Sequence, residues 1–295
     1  MSSLAIYCKS YSTDLLRLVR LAQSVSKFNR EKIPFHVSVP ALEYDLFSEH
    51  LRGLDVQLHC DEDILRASGL TDLERFNQLH GAIGQQIVKS SFWKLLPCEA
   101  YVCLDSDAIF IRPFGVADFI APDGVPYTVI DEAHELLDDA RNQGKFRVID
   151  AHYQEAQRFQ SIFARNGRAY SFGPFPLVWH RLVWESLETE YLNPRNMHLI
   201  DAIESAPIES RWYGEALLKY QAIPLRPCQA LFKVYHYAWQ FDQERGNRRA
   251  NDQLANSYLG VIYQSAWERN MDWPKEGGSI FSRFGRRLRR LLGRI

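Results

Sequence analysis

Two aspartates one residue apart, Asp105 and Asp107 in the stretch YVCLDSDAIFIRPF, follow directly on an apolar run. Carboxylates this close repel one another, so ionising both is costly unless a positive charge stands between them. A divalent metal supplies that charge. Mg2+ and Mn2+ prefer hard oxygen ligands, typically one or two protein carboxylates completed by substrate phosphates. Held there, such an ion offsets the charge that builds on a leaving diphosphate. A plainer reading is a strand-to-turn junction, where Asp side chains bond the local backbone. The second apolar stretch that follows at once, AIFIRPF, favours the metal.

An apolar strand ending in Asp-x-Asp also fits a phosphotransferase of the haloacid-dehalogenase type, with Asp105 as the nucleophile. That motif normally lies on the first strand, whereas here roughly a hundred residues of strand and helix pattern precede it. A second acidic group, Asp131, Glu132, His134 and Glu135, follows another strand candidate. It lacks the H-E-x-x-H spacing of a zinc protease, and reads as a solvated loop. Trp179, Trp212, Tyr235 and Trp239 lie nearest these motifs, either as core or as rings on which a sugar stacks.

The elements that must position these groups are legible upstream. LAIYCKS (4–10) reads as a buried strand, and STDLLRLVRLAQSVSKF as an amphipathic helix with Leu15, Val19, Ala22 and Val25 on one face. IPFHVSVP (33–40) is a second strand, ALEYDLFSEHLRG a helix closed by Gly53, and LDVQLHC (54–60) a third strand. This alternation predicts a parallel, doubly wound sheet. Residues 61–84 read as irregular or short-helical, 85–97 as a helix ended by Pro97, and AYVCLDSD as the next strand. Ligands of open α/β sheets bind beyond the carboxyl ends of the strands. Asp105 and Asp107 stand there, and so do Lys9 and Ser10. Further on, residues 125–135 hold a strand candidate, 136–170 look helical, AYSFGPFPLVWHRLVWESLETEY is a break, a strand and a helix, 208–221 is a helix, and PLRPCQALFKVYHYAW is extended.

With 295 residues the chain can build one full-sized core, and its composition, 46% hydrophobic and 24% charged, is that of a globular protein. Five cysteines without C-x-x-C or zinc spacing read as thiols in a reducing compartment. No basic leader or membrane-length apolar run is present in the sequence, which implies a cytosolic body. Charge is uneven: residues 280–295 hold six Arg and no acid, leaving about −7 on the remainder of a chain whose net charge is −1. In GGSIFSRFGRRLRRLLGRI, Ile280, Phe281, Phe284, Leu288, Leu291, Leu292 and Ile295 recur at helical spacing, with Arg across most of the other side. A helix of that kind lies in a membrane interface, or else packs on the body with a solvated basic face. The expected organisation is one domain over 1–276 and a basic amphipathic tail over 277–295.

KSSFWKLLPCEAYVCLDSDAIFIRPF resembles the D-x-D region of GT-A-type, metal-dependent glycosyltransferases, particularly a poorly characterised bacterial set. The resemblance extends over roughly 4–240. It includes the Gln85-Gln86-x-x-Lys89 helix, the Arg-Pro-Phe exit at 112–114, the ESRWYG segment with Glu209, Tyr213 and Gly214, and VYHYAW with His236. It implies a GT-A-like, Rossmann-like α/β fold with a mostly parallel central sheet flanked by helices, followed by the C-terminal amphipathic helix. It implies that Asp105 contacts ribose or metal, that Asp107 ligates Mn2+ or Mg2+, and that His236 completes the metal site. Tyr7, Lys9 and Ser10 would line the nucleotide pocket, together with Gln86. Lys89 would contact the diphosphate, or else face solvent on its helix. Glu209 would be the base that deprotonates an acceptor hydroxyl, with Glu215 its rival; either could instead decorate its helix.

The implied reaction is sugar transfer from a nucleotide-sugar donor. With the tail at anionic lipids, the implied acceptor is a lipopolysaccharide, O-antigen or other lipid-linked glycan. The implied location is peripheral, on the cytoplasmic face of the inner membrane, with no nucleic-acid partner. The alternatives are the phosphatase described above and a membrane-bound scaffold without turnover.

Overall fold

The structure, a computed structural model, describes residues 4–70, 72–96, 98–235 and 251–264. Its N-terminal half follows the apolar periodicity: β1 (Leu4–Lys9), α1 (Leu15–Phe28), β2 (Phe35–Val39), α2 (Tyr44–His50) and β3 (Gln57–Cys60). The segment expected to be irregular or short-helical holds two short helices, α3 (Asp61–Ala67) and α4 (Leu73–Asn77), and the helix expected from residue 85 begins earlier, as α5 (Gly81–Ser91). β4 (Ala100–Leu104) delivers the Asp-x-Asp turn, after which β5 (Ala108–Phe110) leaves the sheet. The strand candidate at 125–135 is reduced to β6 (Thr128–Val129). It is followed by α6 (His134–Asn142), α7 (Phe146–Ile162), β7 (Leu177–His180), α8 (Arg181–Leu187), α9 (Leu199–Ser205) and α10 (Glu209–Tyr220). Three short strands close the described chain: β8 (Pro227–Cys228), β9 (Phe232–Tyr235) and β10 (Gly260–Tyr263).

The central sheet runs β3-β2-β1-β4-β7. The first four strands are parallel and β7 is antiparallel to β4, so the sheet is mostly parallel rather than wholly so. Alternate residues face opposite ways, and each face has its own core. Ile6, Cys8, Val37, Val102 and Leu104 pack with Leu18, Leu21 and Val25 of α1 and Phe47 of α2. Tyr7, Tyr101 and Cys103 pack on the other side with residues of α3, α5, α7, α8 and α10. This is the α/β class read from the sequence, a mostly parallel sheet between two helical layers.

A small sheet, β5-β10-β9, sits beyond the carboxyl end of β4. Gly260 lies where β10 is squeezed between the Phe232 ring and the Ile109 carbonyl, and a β-carbon there would overlap both. The backbone N–H of Tyr263 donates to the Asp107 carbonyl at 3.3 Å and that of Gln264 to the Tyr235 carbonyl at 3.2 Å, tying this sheet to the Asp-x-Asp turn. All five cysteines are free thiols; Cys8, Cys98 and Cys103 are buried. Among the described residues no helix is long and apolar enough to cross a membrane. The tail over 277–295 lies outside them, as do His236 and Trp239.

Candidate active site

The register of the parallel strands builds the site. Cys8 stands opposite Leu104 in the β1–β4 pair, so Lys9 and Asp105 leave the sheet side by side at its carboxyl edge. Side-chain alternation turns both toward the face that carries α5. The turn is closed by the Ala108 N–H, which donates to the Asp105 carbonyl at 3.1 Å, with Ser106 buried inside it. That main-chain bond closes the turn, and the Asp105 carboxylate goes to a partner distant in the sequence.

One partner is Lys89. Its side chain is 1% exposed, and its ammonium forms an ion pair and hydrogen bond with Asp105 Oδ1 and stands 3.9 Å from Glu209 Oε1. The lysine expected to contact a diphosphate or to face solvent is therefore a buried cation between the Asp-x-Asp motif and the N-terminal residue of α10. Burial alone would lower its pKa; the Asp105 carboxylate, with Cys103 and Glu209, outweighs burial and holds it above its ordinary value. Glu209, 7% exposed, moves the other way from a normal carboxylate: burial raises its pKa, and Lys89 only partly offsets this. A carboxylate raised toward neutrality suits a proton acceptor. Gln86, one helical turn from Lys89 on α5, accepts the Glu209 backbone N–H at 3.2 Å and so caps α10 at the site.

The rest of ESRWYG is structural. Tyr213 is buried, and its hydroxyl accepts the His180 N–H at 2.9 Å, pinning the end of β7. Gly214 is a notch: a β-carbon there would overlap the Phe172 ring. Glu215 is corrected from rival base to structural anchor. It lies six residues, about 240° of net rotation, round the helix from Glu209. Fully buried, it accepts both Arg165 Nε, at 2.5 Å, and the other guanidinium arm, at 2.8 Å.

On the β1 side, Lys9 is engaged by Asp61 at 3.3 Å and by the Ser10 carbonyl at 3.0 Å. Ser10 is 1% exposed, and its hydroxyl and Asp61 Oδ1 are buried without hydrogen-bond partners. Asp61, first residue of α3, gave no signal in the sequence beyond an acidic helix start; burial pushes its carboxyl up to about 6 despite Lys9 and Ser38. Tyr7 is corrected from pocket lining to core. It is fully buried, stacked on Phe92 with centroids 3.8 Å apart, and hydrogen-bonded to Ser38 at 2.7 Å. Trp179, Trp212 and Tyr235 are likewise buried. The acidic group at 131–135 is dispersed: Glu132 pairs with Arg168 at 2.7 Å, Glu135 with Lys233 at 3.4 Å, and Asp131 caps the Ala133 N–H at 2.8 Å.

Among the described residues no group of three His, Cys, Asp or Glu is placed to enclose a metal with protein ligands alone. Two carboxylates at a turn are nonetheless the donor set that Mg2+ or Mn2+ takes when phosphate oxygens complete the shell. The described chain ends β9 at Tyr235, two strands from β5, about 10 Å at the usual strand spacing. His236 is the next residue in the sequence.

The profile described as Family of unknown function (DUF6492) matches residues 3–225, and the chain belongs to that family. No curated protein matches it in sequence. Solved structures to which it is similar include three glycosyltransferases. Mouse xyloside xylosyltransferase 1 in its apo form is 8% identical, with 90% of this chain and 99% of that one covered and a TM-score of 0.46. An active-site mutant of LgtC is 14% identical, with 92% of each chain covered and a TM-score of 0.49. The apo bifunctional glycosyltransferase WbbM is 9% identical, with 89% of this chain and 46% of that one covered and a TM-score of 0.48. At identities this low, the chemistry has to be read from the site itself.

Proposed function

We propose that the protein is a metal-dependent glycosyltransferase that moves a sugar from a nucleotide-sugar donor to a glycan acceptor. One observation carries this reading: a buried ammonium, Lys89, is shared between the first Asp of an Asp-x-Asp turn and a buried glutamate at a helix start, all at the carboxyl edge of a mostly parallel sheet. Asp105 and Asp107 would hold Mn2+ or Mg2+, with His236 as a further ligand. When bound, the ion supplies positive charge to a departing diphosphate. Lys89 adds a second, fixed positive charge on the same side. Glu209, with its raised pKa, accepts the proton of the acceptor hydroxyl. Lys9 and Ser10 border the nucleoside end, and Gln86 keeps α10 in place beneath Glu209.

The acceptor reading comes from the sequence of the tail. Six Arg against an apolar face suit an anionic lipid surface, and so a lipid-linked glycan or a lipopolysaccharide or O-antigen precursor reached from the cytoplasmic face of the membrane. Co-sedimentation with phosphatidylglycerol vesicles, lost on deleting residues 279–295, tests this part alone. The transfer reading is tested by slow hydrolysis of a panel of UDP-, GDP- and CMP-sugars with Mn2+ and no acceptor. Release of UDP or GDP, abolished by EDTA and by Asp107→Ala, supports it, with the CMP-sugar as control. Phosphate release from phosphomonoesters with no nucleotide-sugar turnover contradicts it and favours Asp105 as a nucleophile.

A further inference from the structure

Lys89 has a third contact that neither the motif nor the proposed reaction accounts for. Its ammonium lies 4.4 Å from the ring centroid of Phe175. Asp105 and Glu209 hold two sides of the charge, and this aromatic face covers another. With the lysine 1% exposed, water has almost no part in solvating it. A cation held against a ring in a dry site gains more than the same contact on a surface.

The segment that presents Phe175 is anchored at several points. Arg211 donates to the Tyr170 carbonyl at 2.9 Å. Asp131 and Ser171 exchange backbone hydrogen bonds at 2.8 and 3.2 Å. Phe172 occupies the Gly214 notch, and β7 begins at Leu177. The Phe175 ring is further fixed edge-on to Trp179, with centroids 5.8 Å apart, and it touches the cores of both sheet faces. Two of these anchors, Arg211 and Gly214, belong to α10, the helix that begins with Glu209. The ring and the glutamate are therefore mounted on one packed unit, facing one lysine.

We propose that Phe175 is a positioning residue for donor binding: its ring face fixes the Lys89 ammonium at the Asp-x-Asp turn before any diphosphate arrives. The role in donor binding rests on the transferase reading above, and the contact itself does not. A lysine side chain free to rotate would have to be ordered when the diphosphate binds, and ordering it in advance removes that cost from binding.

The test replaces Phe175 with mono-, di- and trifluorophenylalanine and, separately, by Phe175→Leu in the full chain. Fluorine drains the negative face of the ring while keeping its shape, so a purely space-filling role would not respond. Two readouts are taken: acetic anhydride labelling of Lys89 at pH 9, read by peptide mass spectrometry, and the Kd of UDP and GDP with Mn2+. Thermal melts confirm that each variant is folded. Labelling should rise, and nucleotide affinity fall, stepwise with fluorine number, spanning about 2- to 30-fold over the series, with Phe175→Leu at the weak end. Flat labelling and flat affinity in a wild type that binds nucleotide would overturn the role of Phe175 and leave the transferase reading intact. Labelling that rises while affinity stays flat would overturn the positioning role. A wild type that binds neither nucleotide would overturn both.

Discussion

The Lys89 ammonium and the Glu209 carboxylate stand 3.9 Å apart in a region from which both are nearly excluded from solvent, although 120 positions separate them in the chain. The same ammonium bonds Asp105. One cation therefore faces the Asp-x-Asp motif and the proposed base together, so removing it should disturb folding and binding at once.

For Lys89→Met we expect a stability loss on the order of 3 kcal/mol, because a buried glutamate is left without its counter-charge. The loss should be regained in part by Lys89→Met combined with Glu209→Gln. Urea unfolding of the three variants measures this. A single-variant cost below about 1 kcal/mol would mean that the pair is solvated more than its burial implies.

Glu209→Gln keeps the shape, the α10 cap on Gln86 and the buried position, and removes the proposed proton acceptor. Transfer should drop by about 10²- to 10⁴-fold in kcat with little change in the unfolding midpoint. Glu215→Gln should show the opposite pattern: lower stability from breaking the Arg165 fork, and kcat per folded molecule close to wild type. Activity that follows Glu215 rather than Glu209 would reverse the two assignments.

Gly214→Ala puts a methyl group into the Phe172 ring. Overpacking of this kind costs about 1 to 3 kcal/mol, and the cost should shrink when Phe172→Ala vacates the space, since residues in contact are not additive. Equal costs in the two backgrounds would show that the notch is not what glycine provides.

Two buried groups on neighbouring elements bias stability in opposite directions with pH. Asp61 has a carboxyl raised by burial from 3.8 to about 6. Its protonated form is favoured in the fold, so its stabilising contribution is present below about pH 4 and is lost as pH rises through 6. His36 is lowered by burial, and by His59 2.9 Å away, from 6.5 to about 4. It contributes stability above about 6.5 that is lost as pH falls toward 4. Each is on the order of 3 kcal/mol at full extent, and they act over nearly the same window. Asp61→Asn should therefore expose a loss of stability on acidification between pH 6.5 and 4, and His36→Gln a loss on raising pH from 4 to 6. Melting temperatures across pH 4–7.5 decide it; slopes unchanged from wild type in both variants would contradict the assignment.

What the sequence made legible follows the range of each signal. Alternating runs and helical periodicity are local, and they located β1, α1, β2, α2, β3, β4 and α10, with the Asp-x-Asp turn at a strand end. Lys9 and Ser10 were placed at the same edge by strand order alone. Direction was not legible: the apolar run of β7 has the same composition whether it lies parallel or antiparallel to β4. β10 is four residues long and follows a polar stretch, too short for a period to show. Lys89 reads as a diphosphate contact or a solvent-facing residue of its helix, because its burial depends on Asp105, Glu209 and Phe175, each distant in sequence. The Arg165–Glu215 fork spans fifty positions and left Glu215 looking as free as Glu209. Tyr7 was placed at the pocket by its position near Lys9, whereas strand alternation turns it into the core against Phe92.

Under the proposed function, Asp105 and Asp107 hold a divalent ion through which a nucleoside diphosphate binds. The most direct measurement is calorimetric titration of UDP, GDP and CMP into the full-length protein, with and without Mn2+, for wild type and Asp107→Ala. The expected result is binding of one diphosphate that requires Mn2+ and is lost in Asp107→Ala, with a melt showing that the variant is folded. Nucleotide binding that is the same without metal, or that survives in Asp107→Ala, would contradict it.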